Sequence, residues 1–289
     1  SMQGETDMKK FDVTALGELL VDFTENGMSA QGNPLLEANP GGAPCNVLSM
    51  LQNLGKKTAF IGKVGADMFG TMLTQAVKDQ GINIDNLVTD DTVHTTLAFV
   101  HTGVDGDRDF SFYRNPGADM MLREEEIQQE IFADTKIFHF GTLSMTDLRM
   151  EQVTKHAVKK AKEQGAVISF DPNLRPPLWK KLGDAADKMW YGISQCDILK
   201  ISDDEISFLT GTADIDQGIG KIMEQYCPAL ICATMGKDGS KAYYKGKSVY
   251  AEPFLQKNTI ETTGAGDTFM ACILNTVLDK GINGLSEND

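Results

Sequence analysis

The chain has 289 residues, 41% of them hydrophobic, and a formal net charge of −14. That length and apolar content bury a sizeable core in one α/β unit, and the acidic surface argues against nucleic acid or anionic membranes as partners. Five cysteines without a CxxC pair read as buried reduced thiols of a cytoplasmic protein, and four histidines without paired spacing speak against zinc.

Residues 1–10, SMQGETDMKK, read as a cloning remnant and polar leader outside the fold. FDVTALGELLVDF (11–23) predicts an opening strand broken near Gly17, and ENGMSAQGNPLLEANP follows as a polar, turn-rich stretch. In PGGAPCNVLSMLQNLG the period changes: Val47, Met50, Leu51 and Leu54 share a helical face, with Gly55 as the stop. KTAFIGKVG reads as strand and DMFGTMLTQAVKDQG as helix. TTLAFVHTGVDGDRDFSFYR reads as a hairpin with Asp105-Gly106 in its loop. Beyond it TKIFHFG, AVISFDPN, CDILKIS and PALICATMG are strands, separated by helices over DLRMEQVTKHAVKKAKEQG, around Ala185 to Ser194, and over DDEISFLTG. Strands alternating with helices predict a mostly parallel sheet covered on both faces. The polar stretch and the hairpin, about 20–40 and 95–115, are expected to form a small β-sheet standing off it as a lid over the carboxyl ends of the strands.

In ETTGAGDTFMACILN the glycines of Gly264-Ala265-Gly266 allow close backbone approach, and the helix that starts near Asp267 aims free N–H groups at a ligand. A P-loop and a dinucleotide fingerprint are both excluded, the latter because Phe269 takes the third glycine position. An aspartate beside an anion site is explained if it takes a proton from an attacking hydroxyl, as phosphoryl transfer requires. For the tetrapeptide alone a plain helix N-terminus, with Asp267 favouring the macrodipole, is the better reading.

The ordered set of motifs ETTGAGDTF, PGGAPCNVLSMLQNLG, GELLVDF, GKVGADMFG, FSFYRNPGAD, DPNLRPPLW and ATMGKDGS resembles the ribokinase-like (PfkB) carbohydrate kinases, most closely the fructokinase branch, from about Phe11 to the C-terminus. The resemblance implies a single kinase domain over 11–289 with a three-layer α/β fold and the small sheet as lid. It implies ATP with Mg²⁺ as cosubstrate and cofactor, a small-molecule sugar as acceptor, and a homodimer formed through the lid. It assigns Asp22, Gly41, Gly42 and Asn46 to sugar hydroxyls, which carboxylates, amides and bare backbone can read; an exposed loop acid and a helix cap are the plain readings of Asp22 and Asn46. Arg114 faces the substrate from the lid in this scheme, Phe110 and Phe112 pack under the lid or line the pocket, and Asp119 has a family match without a role. Arg175 lies between substrate and transferring phosphate, where its fork suits phosphate oxygens. Thr234, Gly236 and Gly239 adjoin the nucleotide, with a β-turn expected at 237–239.

Ser202 and Glu205 fit a capping box. The resemblance also places Ser202 beside the nucleotide, where the family commonly has asparagine, and gives Glu205 a water-mediated part in organising magnesium. Glu261 replaces an aspartate that helps hold a monovalent cation in relatives, which leaves potassium dependence open. The family usually continues with a helix against the adenine and a final strand, and no such segment is read in the sequence to Asp289. The function implied is phosphorylation of D-fructose to fructose 6-phosphate, with Asp267 as base and Gly264, Ala265, Gly266 and Arg175 holding the developing charge. Within the class a 2-keto-3-deoxygluconate kinase is the nearest alternative and a nucleoside kinase a more distant one; outside it stands a catalytically inactive sugar-binding homologue.

Overall fold

A computed structural model describes residues 8–253 and 263–289. Its larger sheet has the order β13-β12-β11-β10-β9-β8-β1-β4-β5. β1 (Phe11–Leu16), β4 (Thr58–Gly65), β5 (Asn83–Asp90), β8 (Thr135–Phe140), β9 (Val167–Phe170), β10 (Ile198–Ser202) and β11 (Leu230–Thr234) run parallel, and β12 (Ser240–Tyr244) and β13 (Lys247–Ala251) close one edge antiparallel. Successive strand residues point to opposite faces. Ile137, Ile198, Leu230 and Cys232 join one core with α1 (Ala43–Asn53), α2 (Met68–Asp79) and α8 (Thr263–Lys280). Phe138, Phe140, Leu199, Ile231 and Ala233 join the other with α4 (Leu148–Glu163), α5 (Leu182–Gln195), α6 (Asp203–Thr210) and α7 (Ile215–Gln225); α3 (Glu130–Ala133) is a single turn beside it. Buried on both sides, the strands read as near-continuous apolar runs, the pattern that predicts a covered parallel sheet.

The smaller sheet has the order β3-β2-β6-β7, from β2 (Leu20–Met28), β3 (Pro34–Gly41), β6 (Leu97–Thr102) and β7 (Arg108–Tyr113). The break near Gly17 is therefore a change of sheet, because β1 and β2 pair with different partners. The stretch read as polar and turn-rich is a β-hairpin, with Ser29 N–H donating to the Asn33 carbonyl at 2.8 Å across its turn. Its outer residues are exposed, so no apolar alternation announces it. β5, α7, β12 and β13 are additions to the expected elements.

Two boundaries differ from expectation. Lys9, assigned to the leader, donates from Nζ to the Thr135 carbonyl at 2.9 Å, so the body engages the chain before Phe11. α8 begins at Thr263 rather than near Asp267, which puts Gly264-Ala265-Gly266 in its first turn. Glycine costs a helix about 1 kcal/mol relative to alanine, and the apolar period that follows carries the turn along. Glu261 lies outside the described residues.

The parallel strands run outward from β1 in opposite chain order on its two sides, β4 and β5 on one and β8 to β11 on the other. Such a switch point opens a crevice at the carboxyl ends of the strands. The smaller sheet leaves from there, since Glu18 links the end of β1 to the start of β2.

Candidate active site

Two helix N-termini meet at this crevice. α1 follows Gly42, and α8 packs against it in the shared core. Asn46 stands in the first turn of α1 and Asp267 just past the first turn of α8, and Asn46 Nδ2 donates to Asp267 Oδ2 at 3.0 Å across 221 residues of sequence. Asp267 is only 4% exposed. Burial pushes its carboxyl up to about 6, Asn46 opposes the shift, Asp171 adds to it, and Lys200 and Arg175 draw it back.

Lys200, inside the apolar strand β10, lies under this turn with Nζ 3.1 Å from Asp171 Oδ2, an ion pair whose geometry falls short of a hydrogen bond. Burial works against its ammonium, yet Asp171, Glu205 and Asp267 together hold its pKa above the ordinary value. A Cβ on Gly266 would stand 3.0 Å from Lys200 Nζ, whereas one on Gly264 would meet nothing within 4 Å. The turn is thus closed below by an ammonium and open above at Gly264. The leading N–H groups of a helix have no intrahelical acceptor, and Gly264 and Ala265 occupy that first turn.

The capping box at α6 forms as expected: Ser202 Oγ accepts from Glu205 N–H at 3.3 Å, and Glu205 Oε1 accepts from Ser202 N–H at 2.9 Å. Glu205 Oε2 also accepts from Leu174 N–H at 2.9 Å, which ties the Pro172–Arg175 turn to α6. Burial first, and Asp171 next, raise the Glu205 carboxyl above its usual range. Arg175 follows, half-buried, just before a 3₁₀ turn at Pro176–Leu178. Ser202 is in register with Thr234 on β11. After Thr234 a 3₁₀ turn spans Gly236–Asp238, with Gly236 at φ 56 and Gly239 at φ 91, conformations that suit glycine.

Where the resemblance expects a sugar, Asp22 sits on β2 opposite Asn39 of β3. A Cβ on Gly41 would stand 2.2 Å from Asp22 Oδ2, and one on Gly42, at φ 117, would stand 2.4 Å from the Glu18 carbonyl. Gly42 is barred from carrying a side chain by backbone, whereas one at Gly41 would displace the Asp22 carboxylate. Glu18, 6% exposed, accepts the Ala43 N–H at 3.1 Å, and burial raises its carboxyl to about 7.

Arg114 does not take the position expected of it. Its guanidinium donates from Nε to Asp119 Oδ2 at 3.0 Å, from Nη1 to Thr146 Oγ1 at 2.7 Å and from Nη2 to the Leu143 carbonyl at 2.9 Å, and its side chain is 4% exposed. Phe110 and Phe112 stack on each other on β7, 6.1 Å between centroids. Their register partners Val100 and Ala98 put both on the sheet face that carries Asp22.

Sequence reasoning missed the polar floor. Glu18, Asp171 and Lys200 stood inside motifs used for other residues, and a lysine in the apolar run CDILKIS was the available signal. His139 of β8 is buried too, its Nδ1 2.8 Å from Ser169 Oγ, and burial lowers its pKa to about 4, so it is neutral at pH 7. Among the described residues no group of three or more His, Cys, Asp or Glu forms a metal site, and no helix is long and apolar enough to cross a membrane.

The pfkB family carbohydrate kinase profile matches residues 10–284. The chain belongs to this family. Its relatives include a protein named Probable fructokinase-2 from Arabidopsis thaliana, 40% identical over 275 residues, covering 92% of this chain and 82% of the relative. Fructokinase-2 of Solanum lycopersicum is 38% identical over 269 residues, with 92% and 82% covered. A solved fructokinase from Xylella fastidiosa superimposes with a TM-score of 0.85 at 32% identity, over 94% of this chain and 83% of that one. A second structure of the Xylella fastidiosa enzyme, with bound ATP, gives 0.84 at 33% identity, over 94% and 82%.

Proposed function

We propose that this protein is an ATP-dependent fructokinase that forms fructose 6-phosphate. The observation that carries the reading is the Asn46–Asp267 bridge, which sets a buried carboxylate between the sugar-side glycines and the open first turn of α8. The fructokinase relatives and the ATP-bound neighbour support both substrates.

In this mechanism Asp22 and Asn46 hold sugar hydroxyls over Gly41-Gly42. Asp267 accepts the proton of the primary hydroxyl. The oxygen so released forms a bond to the γ-phosphorus as the bond from phosphorus to the β-phosphate oxygen breaks, and ADP leaves with that electron pair. The first-turn amides at Gly264-Ala265-Gly266 and the Arg175 guanidinium stabilise the charge on the phosphoryl oxygens, the kind of preorganised term that commonly dominates catalysis. Thr234, Gly236 and Gly239 border the nucleotide. Glu205, its oxygens already accepting two backbone N–H groups, suits magnesium through water better than by direct ligation; on the nucleotide the ion supplies neutralisation of phosphate charge. Exposed Met28, Leu35 and Leu36 on β2 and β3 support pairing of two smaller sheets in a homodimer. Five free cysteines support a cytoplasmic setting.

A sugar panel with coupled ADP detection tests the function. Fructose is expected to give the highest kcat/KM, and preference for a nucleoside or a sugar acid would overturn the reading.

A further inference from the structure

The position of Arg114 bears on which sugars the site accepts. Its ion pair with Asp119 is buried at both ends, with side-chain exposures of 4% and 1%. The second Asp119 oxygen is occupied by the Thr96 hydroxyl, so the carboxylate is fixed from both sides. Thr146 and the Leu143 carbonyl hold the rest of the guanidinium.

This pair adjoins the sugar end. Thr96, whose hydroxyl bonds Asp119, accepts the Val21 N–H at 3.2 Å through its carbonyl, one residue before Asp22. Glu18 supports the glycine pair, through its carbonyl at Gly42 and its carboxyl at Ala43 N–H. The Asp22 carboxylate lies against Gly41. Lys63, which donates to the Met121 carbonyl near Asp119, is bound to Glu126 at 2.8 Å and lies 3.5 Å from Asp90. Carboxylates thus stand against the glycine pair, while the cations Arg114 and Lys63 beside it are matched to protein carboxylates. A neutral sugar brings hydroxyl donors to such acceptors. A sugar carboxylate brings a like charge into a site of low dielectric, where repulsion is strong.

We propose that Asp119 is a specificity-determining residue: by holding Arg114 in a buried ion pair it withholds positive charge from the sugar pocket, so that the enzyme takes neutral hexoses and refuses sugar acids. The proposal rests on the fructokinase reading and goes beyond it by naming the residue that excludes the acid. Asp119→Asn keeps an oxygen for Arg114 Nε but removes the neutralising charge.

The experiment compares kcat/KM for fructose and for 2-keto-3-deoxygluconate in wild type, Asp119→Asn and the double variant Asp119→Asn/Arg114→Gln. The acid-to-fructose ratio is expected to rise at least tenfold in Asp119→Asn and to fall back in the double variant, a reversal that a merely structural role would not produce. An unchanged ratio in a folded Asp119→Asn protein, or equal use of both substrates by wild type, overturns the proposal. Wild type supplies a further arm that needs no variant. With 2-keto-3-deoxygluconate at 100 times the fructose KM, unchanged fructose turnover is expected, and competitive inhibition overturns the proposal. If wild type turns over neither substrate, the fructokinase reading fails by itself, and calorimetric binding of the two ligands to the same proteins decides the role of Asp119 by the same ratio.

Discussion

Asp267 serves two opposed requirements. A base must shed its proton at working pH, yet burial makes the ionised form costly. The outcome is a carboxyl near pH 6, where the usual aspartate value is 3.8. Asp267→Asn is expected to lower kcat by roughly 10²–10⁴-fold while the sugar dissociation constant from calorimetry stays within a few-fold. Because the base acts ionised, wild-type kcat/KM is expected to fall as pH drops below about 6, a limb the variant lacks. For stability the sign is opposite. The folded protein keeps this proton where the unfolded chain releases it, so the group's contribution is complete below about pH 4 and is lost as pH rises through about 6. Above that range Asp267→Asn is expected to be more stable than wild type, by about 2–3 kcal/mol, and the gain should vanish near pH 4 in denaturant titrations. The candidacy of Asp267 as base was legible from GAGD and its order among the motifs; its burial was not, because that depends on α1, 221 residues away in sequence.

At the scale of elements, α6 shows how one local pattern serves a distant one. Ser202 and Glu205 cap the helix reciprocally, and that much follows from three-residue spacing. The second Glu205 oxygen reaches Leu174 and steadies the turn that presents Arg175. Ser202→Ala is expected to cost about 1 kcal/mol, a fall of roughly 2–4 °C in Tm by calorimetry, with kcat changed less than threefold. Glu205→Ala should cost more, since it leaves buried N–H groups without acceptors at about 1–3 kcal/mol each, and it should lower kcat at least tenfold by freeing Arg175. Equal effects of the two substitutions on kcat would show that α6 does not govern the turn. The β2–β3 hairpin was legible as part of a lid sheet but not strand by strand: a sheet solvated on its outer residues lacks the alternation that marks a half-buried strand.

For the whole molecule, the important feature is the meeting of two sheets at one crevice. The chain passes between them at residues 17–19, 42, 91–96 and 114–117. These crossings are cross-linked by Glu18 to Ala43, Thr96 to Asp119 and Ala118 to the His94 carbonyl. Gly42 has no room for a side chain here, so Gly42→Ala carries backbone strain on the order of 1–3 kcal/mol besides the clash with Glu18. It should lower Tm and weaken fructose binding together. Fructose bound between the sheets should stabilise wild type by mass action, by about 2.7 kcal/mol at 100 times its dissociation constant. In thermal melts with fructose the shift should disappear in Asp22→Ala, and its persistence would remove Asp22 from the sugar site.

The sequence by itself determined the α/β class, the order of the family's motifs, the glycine turns and the α6 cap. These depend on neighbours within a few residues, where periodicity and backbone sterics decide. Only the tertiary structure decided that Arg114 turns inward to Asp119, that Lys200 lies beneath Gly266, and that Asn46 meets Asp267. Partner choice among buried charges is set by packing between segments far apart in the chain, which local spacing does not encode.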